Sequence, residues 1–237
     1  MKTFLFILTV LIIYAPALQG LAESDSVTIN PFIRSGDDLP YTGRYESKDG
    51  DMRVVSNYVN GYKEGVERHF FNSGNVAIEM YYVHSVQQGD EVHYYESGDK
   101  KAVIEYKNGK KEGKMTSWHP SGKLLGVANF KNDHHDGVSL AWFENGNLRA
   151  VGHFKNGHQN GLEIQFYENG KKRVVGNFKN GKLDGFETQW YENGQKRSEL
   201  YYEQGVLTKD QKFWDKDGQY LLDVDIEEFR ERKGFAH

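Results

Sequence analysis

The chain has 237 residues, enough for one large domain or two small ones and too few for a multidomain machine. With 38% hydrophobic and 27% charged residues and a mean hydropathy of −0.74, its body cannot be a bundle of membrane helices, and the lack of cysteine removes disulfides, thiolate metal sites and cysteine nucleophiles. A net charge of −4 argues against a general nucleic-acid binder, because no overall excess of Lys and Arg exists to displace counterions.

Residues 1–22 have the order of an export signal: one positive charge at Lys2, an apolar run from Phe4 to Tyr14, then small residues from Ala15 to Ala22. The apolar run is shorter than the roughly 20 residues of a spanning helix, so cleavage is expected, after Ala22, with Ala17 and Gly20 as the alternative sites. This predicts an exported protein, periplasmic or extracellular if the host is bacterial. Residues 23–42 form a polar lead without the aromatic pattern that follows, either flexible or a single edge-covering strand.

Residues 43–218 repeat. Gly65, Gly89, Gly113, Gly137, Gly161 and Gly185 lie 24 residues apart, and a second series from Gly74 to Gly218 keeps the same period nine residues later. Five residues after each glycine of the first series stands an aromatic, as in Trp118, Trp142, Phe166 and Trp190. Seventeen residues after it stands another, as in Tyr106, Phe130, Phe154 and Phe178. Each unit holds two strand-length runs and Asn-Gly signals such as Asn145-Gly146 and Asn169-Gly170, which predict β-hairpins with type I′ turns there. A two-residue loop would set Gly161 opposite Phe178 and Gly185 opposite Tyr202. A single hairpin is not stable in water, so about seven must stack into an elongated, twisted, all-β single-sheet array. At about 4.8 Å per strand each repeat advances roughly 10 Å.

The array should be covered at its end by residues 219–237. Lys209 replaces the first glycine of the last unit, but Trp214 and Gly218 keep phase. Asp225-Ile226-Glu227-Glu228 has capping-box spacing, and Leu222, Ile226 and Phe229 share one helical face, so a short C-terminal capping helix is expected.

Phe166-Tyr167-Glu168-Asn169-Gly170, followed by Phe178-Lys179-Asn180-Gly181 and Gly185, resembles the variant MORN repeat. The likeness extends over residues 43 to about 218. Departures are a first unit two residues short, His84-Ser85 where Asn-Gly is expected, and Asn132-Asp133. The resemblance implies a β-hairpin array serving as scaffold or binding surface. Bacterial relatives of this repeat type are often described as antitoxins, and eukaryotic ones are linked with membranes and assembly.

Chemistry is hard to build on such a lattice. His134, His135, His153 and His158, with Asp133 and Asp136, come nearest to a metal cluster, yet His134 and His158 occupy equivalent places about 10 Å apart. Glu144, Glu168 and Glu192 stand one per rung in exposed turns, with nothing to raise one carboxyl pKa. No catalytic residue, metal ligand or cofactor is therefore assigned, and an enzyme is not expected.

Aromatic residues at positions five and six of each unit are chain neighbours and should point to opposite faces. One ladder, with Val103, Val127, Val151 and Val175, can form a packed face. The Tyr-rich ladder, Tyr95, Phe143, Tyr167 and Tyr191, is assigned to a partner because its hydroxyls suit a wet contact. The expected partner is a protein bound along the aromatic-lined face. An antitoxin or immunity-type inhibitor of a toxin, and a binder of glycan or lipid headgroups at a membrane surface, are the alternatives.

Overall fold

The computed structural model describes residues 31–221. The expected export signal, residues 23–30 of the polar lead and the expected capping helix lie outside the described residues.

Within them the chain is all-β: twenty strand segments form one open antiparallel sheet in which each hairpin pairs with the next in chain order. Every first-series glycine faces the aromatic seventeen residues on: Gly65 faces Tyr82, Gly161 faces Phe178 and Gly185 faces Tyr202. The expected register therefore holds. The glycine is not there to make room for the opposed ring. At Gly161 a Cβ would approach His153 Cβ at 3.2 Å rather than the ring of Phe178, and at Gly185 it would meet open space. What these positions share is φ of +120° and +105°, a backbone that L side chains avoid.

The two Asn-Gly series build different turns. At Tyr167–Gly170 the Gly170 N–H donates to Tyr167 O at 2.9 Å, and Gly170 takes φ 82° while Asn169 stays out of the positive-φ region. This is a type I turn closed by a left-handed glycine, and the register slips between Gln165 and Phe166. Type I′ geometry belongs instead to the turns between units. Lys155 pairs with His158 around Asn156 (φ 49°) and Gly157 (φ 80°). His84-Ser85 and Asn132-Asp133 adopt the same conformation, with φ 49° and 61°, 48° and 67°. The departures from Asn-Gly thus leave the turn type unchanged.

Each I′ turn docks on the repeat before it. Gly157 N–H donates to His135 O at 2.9 Å, and Asn156 N–H donates to Asp136 Oδ2 at 3.2 Å. The same two bonds open the array: Gly61 N–H donates to Tyr41 O at 2.7 Å and Asn60 N–H to Thr42 Oγ1 at 2.9 Å. The described part of the lead is therefore a clasp. Phe32 N–H donates to Gly61 O at 2.7 Å, and the Phe32 ring sits among Tyr41, Tyr45 and Tyr58 with centroids 4.9–6.1 Å away.

Burial identifies the packed face. Ser139 and Ala141 are buried on one strand opposite Gly152 and Ala150 on the next, and Ala102, Ile104 and Met115 cluster with Tyr106 and Phe130. A single layer can bury one face only by curling around it, and small residues let it curl tightly. Val103, Val127, Val151 and Val175, expected on the packed face, are half-buried neighbours of these residues and point the other way.

Candidate interaction surface

A hairpin meander has two edges formed by turns and two sheet faces, and this sequence loads each differently. The type I turns carry the predicted partner residues. Tyr95 donates its hydroxyl to Trp118 O at 2.7 Å, Tyr167 to Trp190 O at 2.7 Å and Tyr191 to Trp214 O at 3.0 Å. His119 holds the same place, its Nε2 3.3 Å from Trp142 O. Phe143 has no hydroxyl and supplies a ring alone. All four predicted residues are half-buried. Tyr167 begins a turn, one residue past the strand that ends at Phe166, so it stands at the corner of the sheet. Cations flank the file, with Lys101 5.7 Å from the Tyr95 ring and Arg197 5.7 Å from Tyr191. Asn side chains continue the stitching: Asn145 Nδ2 donates to Glu168 O and Asn169 Nδ2 to Glu192 O.

The outer face bears Val138, Leu162 and Phe186, each directly after a first-series glycine and each at least 39% exposed. No second layer covers this stripe among the described residues. Its sequence signal was available, since an apolar residue follows the glycine in three successive units. A shallow cleft of about 310 Å³ opens between hairpins nearer the start of the array, beside Glu79 and Tyr94.

The inner face holds acids that repeat two residues after the glycine. Glu67 is 3% exposed and receives Ser56 Oγ–H at 2.5 Å, His69 at 3.2 Å and the Lys63 ammonium. Burial alone would raise its pKa, but these donors outweigh it and hold the carboxyl down at about 2. Glu91 is lowered in the same way: burial opposes, and His93 at 2.6 Å and Gln87 at 2.7 Å prevail. Glu187 lacks a cation, so burial raises it, and the charge of Glu163 adds to the rise.

The histidine group does not converge. His135 lies edge-on to Phe130 and Phe154, with centroids 4.3 and 5.1 Å away, and burial lowers its pKa. His153 Nδ1 donates to Leu162 O at 2.7 Å and His134 Nδ1 to Asn132 O at 2.7 Å. Among the described residues, no group of three His, Asp or Glu side chains is placed to hold one ion.

The sequence model of the MORN repeat variant matches residues 63–84, 87–108, 111–132, 136–156, 159–180 and 183–204, more than half of the chain. The chain belongs to this family. Each match runs from just before a first-series glycine to the tip of the following I′ turn, so the MORN unit and the docked hairpin coincide. The short first unit falls outside the matches. It loses its residues at the turn, where Asp49 pairs with Met52 directly across Gly50-Asp51. No curated protein matches the chain. MORN repeats are commonly modules that bind proteins or membrane lipids, and the family is generally a non-enzymatic scaffold.

Proposed function

We propose that this MORN array is an exported, non-enzymatic scaffold that binds an extended protein segment along its aromatic corner, where Tyr95, Phe143, Tyr167 and Tyr191 adjoin Trp118, Trp142, Phe166 and Trp190. The observation that carries the reading is the hydroxyl ladder: Tyr95, Tyr167 and Tyr191 spend their O–H groups on the next repeat. The rings are thereby fixed before any partner arrives, and a fixed ring loses little entropy on binding. Ring faces, with the neighbouring Lys101 and Arg197, are what a partner meets. The exposed stripe of Val138, Leu162 and Phe186 lies at the other end of the same strands, beside the I′ turns, and is not part of this contact.

The test separates ring from hydroxyl. Capture from an extract of the native host, quantified by mass spectrometry, is expected to weaken with Tyr167→Phe and Tyr191→Phe, which keep the rings but release them from Trp190 O and Trp214 O, and to fail with Tyr167→Ser and Tyr191→Ser. Equal capture by the parent and the Ser pair would overturn the assignment. Export is tested by N-terminal sequencing of the secreted protein, expected to begin at Glu23.

A further inference from the structure

The edge opposite the aromatic corner is built from the I′ turns, and four consecutive turns there carry a lysine on one flank and a lysine or histidine on the other. Lys107 pairs with Lys110, Lys131 with His134, Lys155 with His158 and Lys179 with Lys182, each directly across the turn. All eight side chains are exposed. The outer turns break the pattern: Val59 pairs with Tyr62, Val83 with Val86 and Glu203 with Val206.

Placing like charges directly across a strand pair costs stability, and the array does so at Lys107/Lys110 and again at Lys179/Lys182. No direct ion pair offsets it. Among the described residues, lysine ion pairs within 4.0 Å are Lys63–Glu67, Lys196–Glu199 and Lys212–Glu199, none of them on these turns. Acidic side chains interleave with the lysines and offset part of the file's charge, and each also docks one turn on the next: Glu112 accepts from Asn132 N–H at 2.8 Å, Asp133 from Lys111 N–H at 2.8 Å, Asp136 from Asn156 N–H at 3.2 Å and Asp184 from Gln204 Nε2 at 2.6 Å. Three of the four turns have glycine at the second tip position, which lets successive turns lie close: a Cβ at Gly157 would lie 3.2 Å from His134 and one at Gly181 3.6 Å from His158, while the remaining turn has Asp133 there. A like-charge cost repeated at two turns with no direct ion pair against it marks a functional surface.

We propose that these four turns form a cationic file that binds a linear acidic polysaccharide, with a carboxylate or sulfate at successive turns and the tip residues Asn156 and Asn180 between the cations to meet sugar hydroxyls. The file has one or two ammonium groups per advance of about 10 Å, roughly the length of a disaccharide in such a polymer. A nucleic-acid strand presents a phosphate about every 3.4 Å, far denser than the file. A flat anionic bilayer fits poorly, because ordinary sheet twist of about 20–25° per strand turns the file through more than a right angle over four repeats. A peptide strand finds no backbone ladder here: Gly109 N–H is spent on Gln87 O at 2.9 Å and Gly181 N–H on Gln159 O at 2.8 Å.

The experiment measures binding of the secreted chain to labelled polygalacturonate and to a sulfated glycosaminoglycan. Neutral dextran, a single-stranded oligonucleotide and phosphatidylglycerol vesicles serve as comparisons. The parent should bind both acidic glycans, more weakly as salt rises, and should ignore dextran. Lys131→Gln with Lys155→Gln should weaken binding by about tenfold at low salt, whereas Lys100→Gln with Lys172→Gln, an equal charge change on the opposite edge, should weaken it by less than about twofold. Both pairs should keep the circular dichroism melt of the parent, which rules out unfolding as the cause. Equal losses in the two pairs, no glycan binding by the parent, or tighter and equally sensitive binding to oligonucleotide or vesicles would overturn the proposal. The site is independent of the aromatic corner, so Tyr167→Ser with Tyr191→Ser should leave glycan affinity unchanged.

Discussion

Glu67→Gln removes one buried charge while preserving shape, and its consequences follow from the bonds around it. The carboxylate takes hydrogen bonds from Ser56, His69 and Lys63, and its pKa falls from 4.5 to about 2 despite burial. A depressed carboxyl stabilises the fold above its unfolded pKa, and that stability disappears as pH falls through the folded value. A shift of this size corresponds to about 3 kcal/mol above pH 5, of which about 2 kcal/mol is gone at pH 3. Glutamine can still accept from His69, and Lys63, 30% exposed at its side chain, can turn to water. The loss at pH 7 should therefore be about 2–3 kcal/mol, below the cost of stranding a buried ion. The assay is urea unfolding followed by circular dichroism at pH 7 and pH 3, with hydrogen exchange over Met52–Val59 and Gly65–Phe70 to locate the loosened repeat, because an array need not melt as one unit. From pH 7 to pH 3 the parent should lose about 2 kcal/mol more than the variant. If both lose equally, Glu67 is not the group that couples folding to acid.

Other perturbations test other parts of the lattice. Gly161→Val and Gly185→Val should each cost about 1–3 kcal/mol in a thermal melt from the left-handed backbone alone, with Gly161 the worse because His153 lies 3.2 Å from the new Cβ. A neutral Gly185→Val would remove backbone strain as the explanation. Gly61→Ala places a Cβ 2.5 Å from Pro31 Cβ and should free the clasp for limited proteolysis, while Gly109→Ala, whose nearest neighbour is 3.7 Å away, should leave the digestion pattern unchanged. Glu187→Gln should stabilise the chain at pH 7 and not at pH 4, since a carboxyl raised by burial opposes folding only where the unfolded chain would ionise it. Equal effects at both pH values would point to packing instead.

Much of the architecture was legible because its requirements are local. A glycine every 24 residues marks a backbone that no other residue tolerates well, and the aromatic seventeen places on is brought opposite it by hairpin closure. The two Asn-Gly series were not distinguishable, because the dipeptide tolerates both turns. Whether Asn169 or Asn180 takes positive φ depends on whether the flanking strands close over two residues or leave room for a bulge.

The candidate site was legible only as a list. Tyr95, Phe143, Tyr167 and Tyr191 are conspicuous by their period, but the hydroxyl partners of the three tyrosines are backbone carbonyls 23 residues away, which alternation along one strand does not locate. The packed face was misread for a related reason. Valine at alternate positions indicates burial in a sheet covered by a second layer, whereas a single sheet that curls buries the face carrying Ala, Ser and Gly and leaves valine half-exposed.

The amino-acid sequence by itself determined the period, the hairpins and the glycine-to-ring register, since each depends on residues adjacent in the chain or one turn apart. Tertiary structure alone decided which face is the core, that Glu67 is a buried anion and that residues 31–42 clasp the first turn. Those outcomes depend on how sharply the sheet curls and on which repeat lies against which, quantities set by the sum of packing over many strands rather than by any local stretch.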